Sequence, residues 1–542
     1  MSNSLNQNID LVEKLYYKGK FSDTINEIMN LKKIVKRNQQ EYYQLLVWEN
    51  KIRIKLGNYS EALPKMDNLI TSIEKKNFLK LVIESILVKV SLLEELGNYE
   101  LMISTINQGE SLIKKLDDIK QIKLCKSLFS YKKGCYYQTK GEYKTAESLL
   151  DDSLEMCNEL KNNYTKAEIL IYLSSIYRKR GEKESAIKSL NESLQICNEN
   201  EYNLLKGRVF SAFGHYYNLE GNLPEALTYL QQSSNLFNEI GSIYELGQIN
   251  INLGVINHFS GNLNSALSYY LKALEYFQIV GDKNSCAATK YNIGIIYNLQ
   301  GKLKDALESY ESSLPIFQEQ GNISQITACF NSIGKIFFDL GLLERAENHL
   351  RLVYQLKDQI TKVSLSKTLF YLIPVLINQN NLDESKRLIN ELEKISDKED
   401  SEVIKHRYLF LKALTQSLDE NINFKEIEKL YLQVINEPVT DQETKINAII
   451  NYSHLLIKEY IESNNEEVLD RIKYNNERLS KLATKQQSKL LFVEFYWIKS
   501  IIASFEGDKT SSEELSTQAQ KMAKEMNFIR FLNKMKNFTL KY

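Results

Sequence analysis

A segment written three times at one fixed spacing constrains this chain more than anything else in it. It reads FGHYYNLEGNLPEALTYLQQS from Phe213, LGVINHFSGNLNSALSYYLKA from Leu253 and IGIIYNLQGKLKDALESYESS from Ile293. A fixed period of this size, about 40 residues, is the mark of stacked repeats, in which no unit buries its apolar face alone. The anchor is a glycine, found at Gly141, Gly181, Gly221, Gly261, Gly301 and Gly341, each one period from the last. Weaker copies stand at Gly19, Gly57 and Gly97, and Asn380 takes the same place one residue early. Gly or Asn just past a helix end suits a left-handed turn. A second series, Gly241, Gly281 and Gly321, closes the other helix. Each unit therefore reads as helix A, tight turn, helix B, turn.

Small and large residues alternate around the anchor. Seven before it stand Gly134, Ser174, Gly214, Gly254, Gly294 and Gly334; five after it, Ala146, Ala186, Ala226, Ala266, Ala306 and Ala346. Nine after it come Leu150, Leu190, Leu230, Tyr270, Tyr310 and Leu350; twelve after it, Ser153, Ser193, Ser233, Ala273 and Ser313. Close helix packing asks for small residues where backbones approach and large ones in the grooves between. These positions specify fold rather than chemistry.

The pattern resembles the tetratricopeptide repeat (TPR), in a long-period branch similar to kinesin light chains, asymmetric-division adaptors and bacterial peptide-pheromone receptors. The usual period is about 34 residues, and the one here is longer. The resemblance implies an all-α, TPR-like helix-turn-helix α-solenoid wound into a right-handed superhelix. It is strongest from about Tyr131 to Leu352. The chain divides on this reading into divergent repeats (1–130), a regular array (131–397) and degenerate repeats with a cap (398–542), with a soft boundary near 360–400.

Departures from the period carry their own expectations. The step from Gly97 to Gly141 is four residues longer than the steps that follow it. Four extra residues are about one helical turn, enough to lengthen a helix without rotating its apolar face. Pro224 falls in a first turn, where proline is tolerated. Pro315 falls inside a B helix, whose last turns it is expected to kink or loosen, and Pro374 falls inside an A helix and reads as the clearest break in the array. The basic, apolar segment FIRFLNKMKNFTLKY is expected to cap the last repeat.

With 69 basic and 69 acidic residues the chain has no net field to draw it to nucleic acid or to acidic membranes. No apolar run approaches the roughly 18 residues of a membrane span, and the start, MSNSLNQNID, has no apolar signal core. A cytoplasmic location follows as the expectation. The six cysteines form no CxxC pair and read as buried free thiols.

The five histidines share no metal-ligand spacing, and no phosphate loop, dinucleotide fingerprint or nucleophile elbow occurs. The chain reads as non-catalytic, without cofactor or metal, and the candidate site is a surface. In TPR arrays the A helices line a concave groove, so the resemblance points to the polar residues there. Two before the small residue stand Asn252 and Asn292; asparagines at this place in the long-period branch hydrogen-bond a bound peptide backbone. Asn331 lies close to the next such place, which is held by Ser332. Four after the small residue runs a row of Gln138, Arg178, Asn218, His258 and Asn298, ending at Phe338. His215 and Lys335 stand one after it, and Arg208 faces the same side. The leading expectation is a scaffold or adaptor that binds a protein or peptide segment in this groove. The alternatives are a sensor for a small peptide or effector, and an architectural subunit using the convex face or the basic tail. Neither the partner nor an oligomeric state is named by the sequence.

Overall fold

The computed structural model describes residues 2–57, 59–418, 422–437 and 441–541. Among them are twenty-seven helices and no strand. The all-α repeat solenoid expected from the period is what the chain forms. In Asn203–Leu219, an A helix, Leu205, Val209, Phe213 and Tyr216 are buried; in Leu223–Ile240, its B helix, Ala226, Leu230, Ser233 and Phe237 are buried. Both sets follow the helical period, so each helix turns one apolar stripe toward its neighbours.

The anchor glycines adopt the left-handed conformation, Gly181 with φ of 80°. There Gly181 N–H donates to the Arg178 carbonyl at 3.0 Å and Glu182 N–H to that of Tyr177 at 2.8 Å, which closes the helix end. Asn380 does the same with φ of 60°. The series closing the B helices extends further than its glycines suggest. Lys161 and Glu201 occupy the equivalent places with φ of 57° and 56°, a conformation that costs a residue with a Cβ about 1 kcal/mol or more.

The packing positions behave as the alternation requires. A Cβ on Gly214 would lie 2.7 Å from Leu230 Cγ, so only glycine fits against that leucine. The serines do more than stay small. Ser153, Ser193 and Ser233 each donate across to an A-helix carbonyl, of Ser127, Ala167 and Gly207 respectively, at 2.7, 2.9 and 2.7 Å. Ser313 instead donates within its own helix, to Ser309.

The extra four residues before Gly141 lengthen one A helix, Ile119–Thr139, to 21 residues against 17 for Asn163–Lys179. Pro224 sits in the first turn of its helix. The break expected at Pro374 does not occur, for Lys362–Asn378 runs through it, and Leu303–Glu319 likewise continues through Pro315. Ile373, Val375 and Leu376 around Pro374 are fully buried, and that packing outweighs the roughly 3 kcal/mol an interior proline costs. Five cysteines are buried and Cys286 is partly so, all as free thiols.

The chain forms two compact units. The first comprises Met1–Ile256 and Ser268–Cys286. In it, the early turns pack on helices much further along. Ile9, Val12, Trp48 and Ile52 share one apolar cluster with Leu230, Phe237, Leu246 and Ile249. Ser242 Oγ donates to the Lys55 carbonyl at 3.1 Å, and Asn284 Nδ2 to that of Leu96 at 2.9 Å, across 187 and 188 residues. That separation is somewhat under five periods.

The second unit comprises Asn257–Leu267 and Ala287–Tyr542. It repeats the device. The Gly261 turn abuts the Lys485 carbonyl oxygen, Gly301 abuts Met526, and Gly341 abuts Ile529. Arg530 Nε donates to Asp339 Oδ1 at 3.1 Å, across 191 residues. The basic segment at the end is the helix Ile529–Lys541, with Phe531 and Met535 buried and Lys534 Nζ 3.2 Å from both oxygens of Glu494.

Candidate functional site

Two A helices of the first unit, Asn163–Lys179 and Asn203–Leu219, the part of Ile243–Phe259 that lies in it (residues 243–256), and the end of Leu79–Glu95 line a cavity of about 430 Å³. Four of the expected groove residues meet there: Arg178, Arg208, His215 and Asn252. They reach one space because they stand on adjacent A helices, which the stacking of the repeats sets side by side.

One end of the cavity is organised by Arg208. Its Nε donates to Glu245 Oε1 at 2.6 Å, and its terminal nitrogens lie 3.6 Å from Glu95 Oε1 and 4.0 Å from Glu168 Oε1. Burial opposes the Arg208 charge, but Glu245, Glu95 and Glu168 outweigh it and raise its pKa. Burial also pushes the Glu95 carboxyl up, only partly offset by Arg208 and Lys55. Lys55 is itself held down by burial and by repulsion from Arg208. Three carboxylates thus face two cations, the Arg208 guanidinium and the Lys55 ammonium, so anionic groups are one in excess at this end. Behind them Glu94 is separately bound, accepting from Lys132 Nζ at 2.6 Å and from the Tyr172 hydroxyl at 2.9 Å.

The other end is positive. Arg178 is half-buried, its pKa lowered by burial, and no carboxylate pairs with it among the described residues. His215 is exposed on one side; partial burial, then the charges of Arg178 and Lys179, holds its pKa below the usual value. Asn252, Ser175 and Ser211 add polar groups along the walls.

The remaining candidates stand elsewhere. Asn218 is half-buried on the same helix as Arg208 and is not part of the cavity lining. His258, Asn292, Asn298 and Lys335 belong to the second unit, so the two asparagines one period apart, Asn252 and Asn292, fall in different units. There His258 stacks on Phe259 with ring centroids 5.2 Å apart, and burial lowers its pKa. The Asn298 side-chain oxygen is buried without a partner among the described residues. Lys335 Nζ donates to Asp339 Oδ2 at 3.2 Å. Also in this unit, His406 Nε2 donates to Glu437 Oε2 at 2.7 Å, with Glu402 beside them.

The carboxylates of the cavity lie outside the groove residues expected from the sequence, although the sequence carries a signal for one of them. Glu168 and Arg208 are one full period apart, opposite charges at one place in adjacent repeats. Lys132 and Tyr172, which both hold Glu94, likewise occupy the place of Asn252 in earlier repeats.

A family described as the MalT-like TPR region matches residues 225–535, more than half of the chain. The chain belongs to this family. The general tetratricopeptide repeat matches residues 130–199 as well, so TPR matches extend over both units. Among solved structures, the TPR chain is similar to a Rap protein complexed with Competence and Sporulation Factor, at 15% identity, over 66% of this chain and 99% of that one, with a TM-score of 0.47. It is also similar to the STAND protein with a tetratricopeptide repeat sensor from Pyrococcus horikoshii, at 15% identity, 82% and 67% coverage and a TM-score of 0.47. Human IFIT1 is similar at 15% identity, 86% and 95% coverage and 0.41. No curated protein matches the chain. Among the described residues no helix is long and apolar enough to cross a membrane.

Proposed function

We propose that this TPR protein is a non-catalytic binding module that takes a protein or peptide segment against the A helices of its first unit. The observation that carries the reading is the convergence of Arg178, Arg208, His215 and Asn252 on one cavity of about 430 Å³. A concave site with a few converging polar groups on apolar walls is the usual form of a binding pocket. Asparagine suits it, since its amide both donates to and accepts from a peptide backbone. The alternative that uses the basic tail as a contact is less favoured, because Arg530 and Lys534 are engaged with Asp339 and Glu494.

Site-directed photo-crosslinking tests the reading. A benzoyl-phenylalanine placed at Asn252 or Ser175 should capture a protein or peptide, while one at Lys188, on the B helix Lys183–Asn200, should not. Adducts at Lys188 alone would overturn the assignment to this face.

A further inference from the structure

The two ends of the cavity carry opposite charge, and this says more about the occupant than the volume does. Resting on the groove reading above, we propose that the site selects a dipolar segment. A cationic group of the segment sits among Glu95, Glu168 and Glu245, and a carboxylate about three to five residues away sits on Arg178.

The helices fix the distance. Glu168 and Arg178 lie on one helix, Asn163–Lys179, ten residues apart, which is about 15 Å of rise. Arg208 and His215 lie on the next A helix, seven residues apart, about 10 Å. The two helices run in register, since Arg208 faces Glu168 at one end and His215 feels Arg178 at the other. An extended chain advances about 3.3 Å per residue, so about three to five residues bridge the two ends. Asn252 stands along the way, seven residues beyond Glu245 on its own helix.

The charges are suited to a ligand. Arg178 has no carboxylate of the described chain beside it, so an incoming one gains a partner without displacing another. At the other end Arg208 and Lys55 together leave the three carboxylates one cation short, and a further cation lowers their mutual repulsion. A uniformly acidic segment is repelled at the glutamates, and a uniformly basic one at Arg178. Discrimination of this kind is what charge complementarity supplies.

The test uses the full chain on an array of hexapeptides. One set carries a Lys and a Glu three to five residues apart, in both orders. The controls carry the same two residues adjacent, two Lys, two Glu, or neither. The proposal expects the spaced opposite-charge set to be retained at least tenfold over every control. Arg178→Gln should remove the requirement for Glu while leaving that for Lys, and Arg178→Lys should restore part of it. Glu168→Gln should weaken the requirement for Lys, with Arg208 still held by Glu245. Unchanged melting temperatures would show that both variants fold. Retention of all peptides alike, lost on Asn252→Ala, would overturn the charge selection and leave the groove reading standing. Retention of none would overturn both.

Discussion

Turns of one local design meet two different fates in this molecule. At Gly181 the backbone is left-handed, with φ of 80°, and among the described residues no atom beyond the glycine and its two chain neighbours lies within 4 Å of where a Cβ would stand. At Gly261 the backbone is the same, with φ of 82°, but a Cβ would run into the Lys485 carbonyl oxygen. Gly57 is intermediate, with Val280 Cγ1 2.5 Å from that point. The repeat dictates the turn in each case. Whether the turn is then covered depends on helices several periods away, so glycine answers a local need at Gly181 and both a local and a long-range need at Gly261.

The largest expected effect breaks that contrast directly. Gly261→Ala combines an unfavourable φ with a clash against backbone, which cannot rotate away, and should cost about 4 kcal/mol. Thermal or chemical unfolding of the variant measures it. A loss no greater than that of the same change at Gly181 would mean that the Lys485 contact adds nothing.

Arg208 tests the packing of early helices on later ones inside the first unit. It joins Glu95, two residues before the Gly97 turn, to Glu168 and Glu245. Arg208→Met keeps the bulk and leaves the carboxylates facing each other. The side chains are half-buried, so the cost is expected near the low end for a broken buried pair, about 3 kcal/mol at neutral pH. The sign of the pH dependence follows from Glu95. Its folded pKa is raised, so the folded state holds the proton more tightly than the unfolded one. The resulting stabilisation is full below the ordinary carboxylate value and is lost as pH rises through the folded value. Removing the arginine strengthens this effect, so the difference between wild type and variant should shrink as pH falls from neutral toward the carboxylate range. A constant difference would show that these charges are not coupled.

A smaller effect is expected at the Gly341 turn of the second unit. Asp339 is buried and accepts from both Lys335 and Arg530, and the Arg530 guanidinium lies over the Phe338 ring at 4.7 Å. Arg530→Ala leaves Asp339 one partner, so a loss of about 1–2 kcal/mol is expected in unfolding experiments. A loss below a few tenths would assign the docking of this turn to Ile529 and the glycine alone.

Why one half of this design was readable in sequence and the other was not follows from distance along the chain. The turn glycines, Asn380, the lengthened helix before Gly141 and the small-against-large packing each involve residues within one repeat, so periodicity reveals them. Pro374 misled because proline's local cost is legible and the burial around it is not. The docking of Gly57 on Val280, or of Gly261 on Lys485, joins residues with no common motif. The candidate site shows the same divide. Arg178, Arg208, His215 and Asn252 stand on the A helices of adjacent repeats, and Glu245 shares the helix of Asn252, whereas Glu95 comes from a helix several repeats earlier and is brought in by tertiary packing. Glu168, one period before Arg208, was the accessible clue.

The smallest expected effects isolate the local half of the comparison, at turns where nothing else interferes. Gly181→Ala changes only the backbone preference. The left-handed penalty, partly offset by a less flexible unfolded chain, amounts to about 1 kcal/mol of destabilisation. Lys161 closes a B helix in the same left-handed region, with φ of 57°. The reverse change there, Lys161→Gly, should therefore stabilise by up to about 1 kcal/mol. The pair is read together in unfolding experiments: opposite signs and similar sizes mean that an open turn is governed by its own dihedral angle. Equal signs would mean that Lys161 has contacts worth more than its strain, and that even the open turns of this array are set by their surroundings.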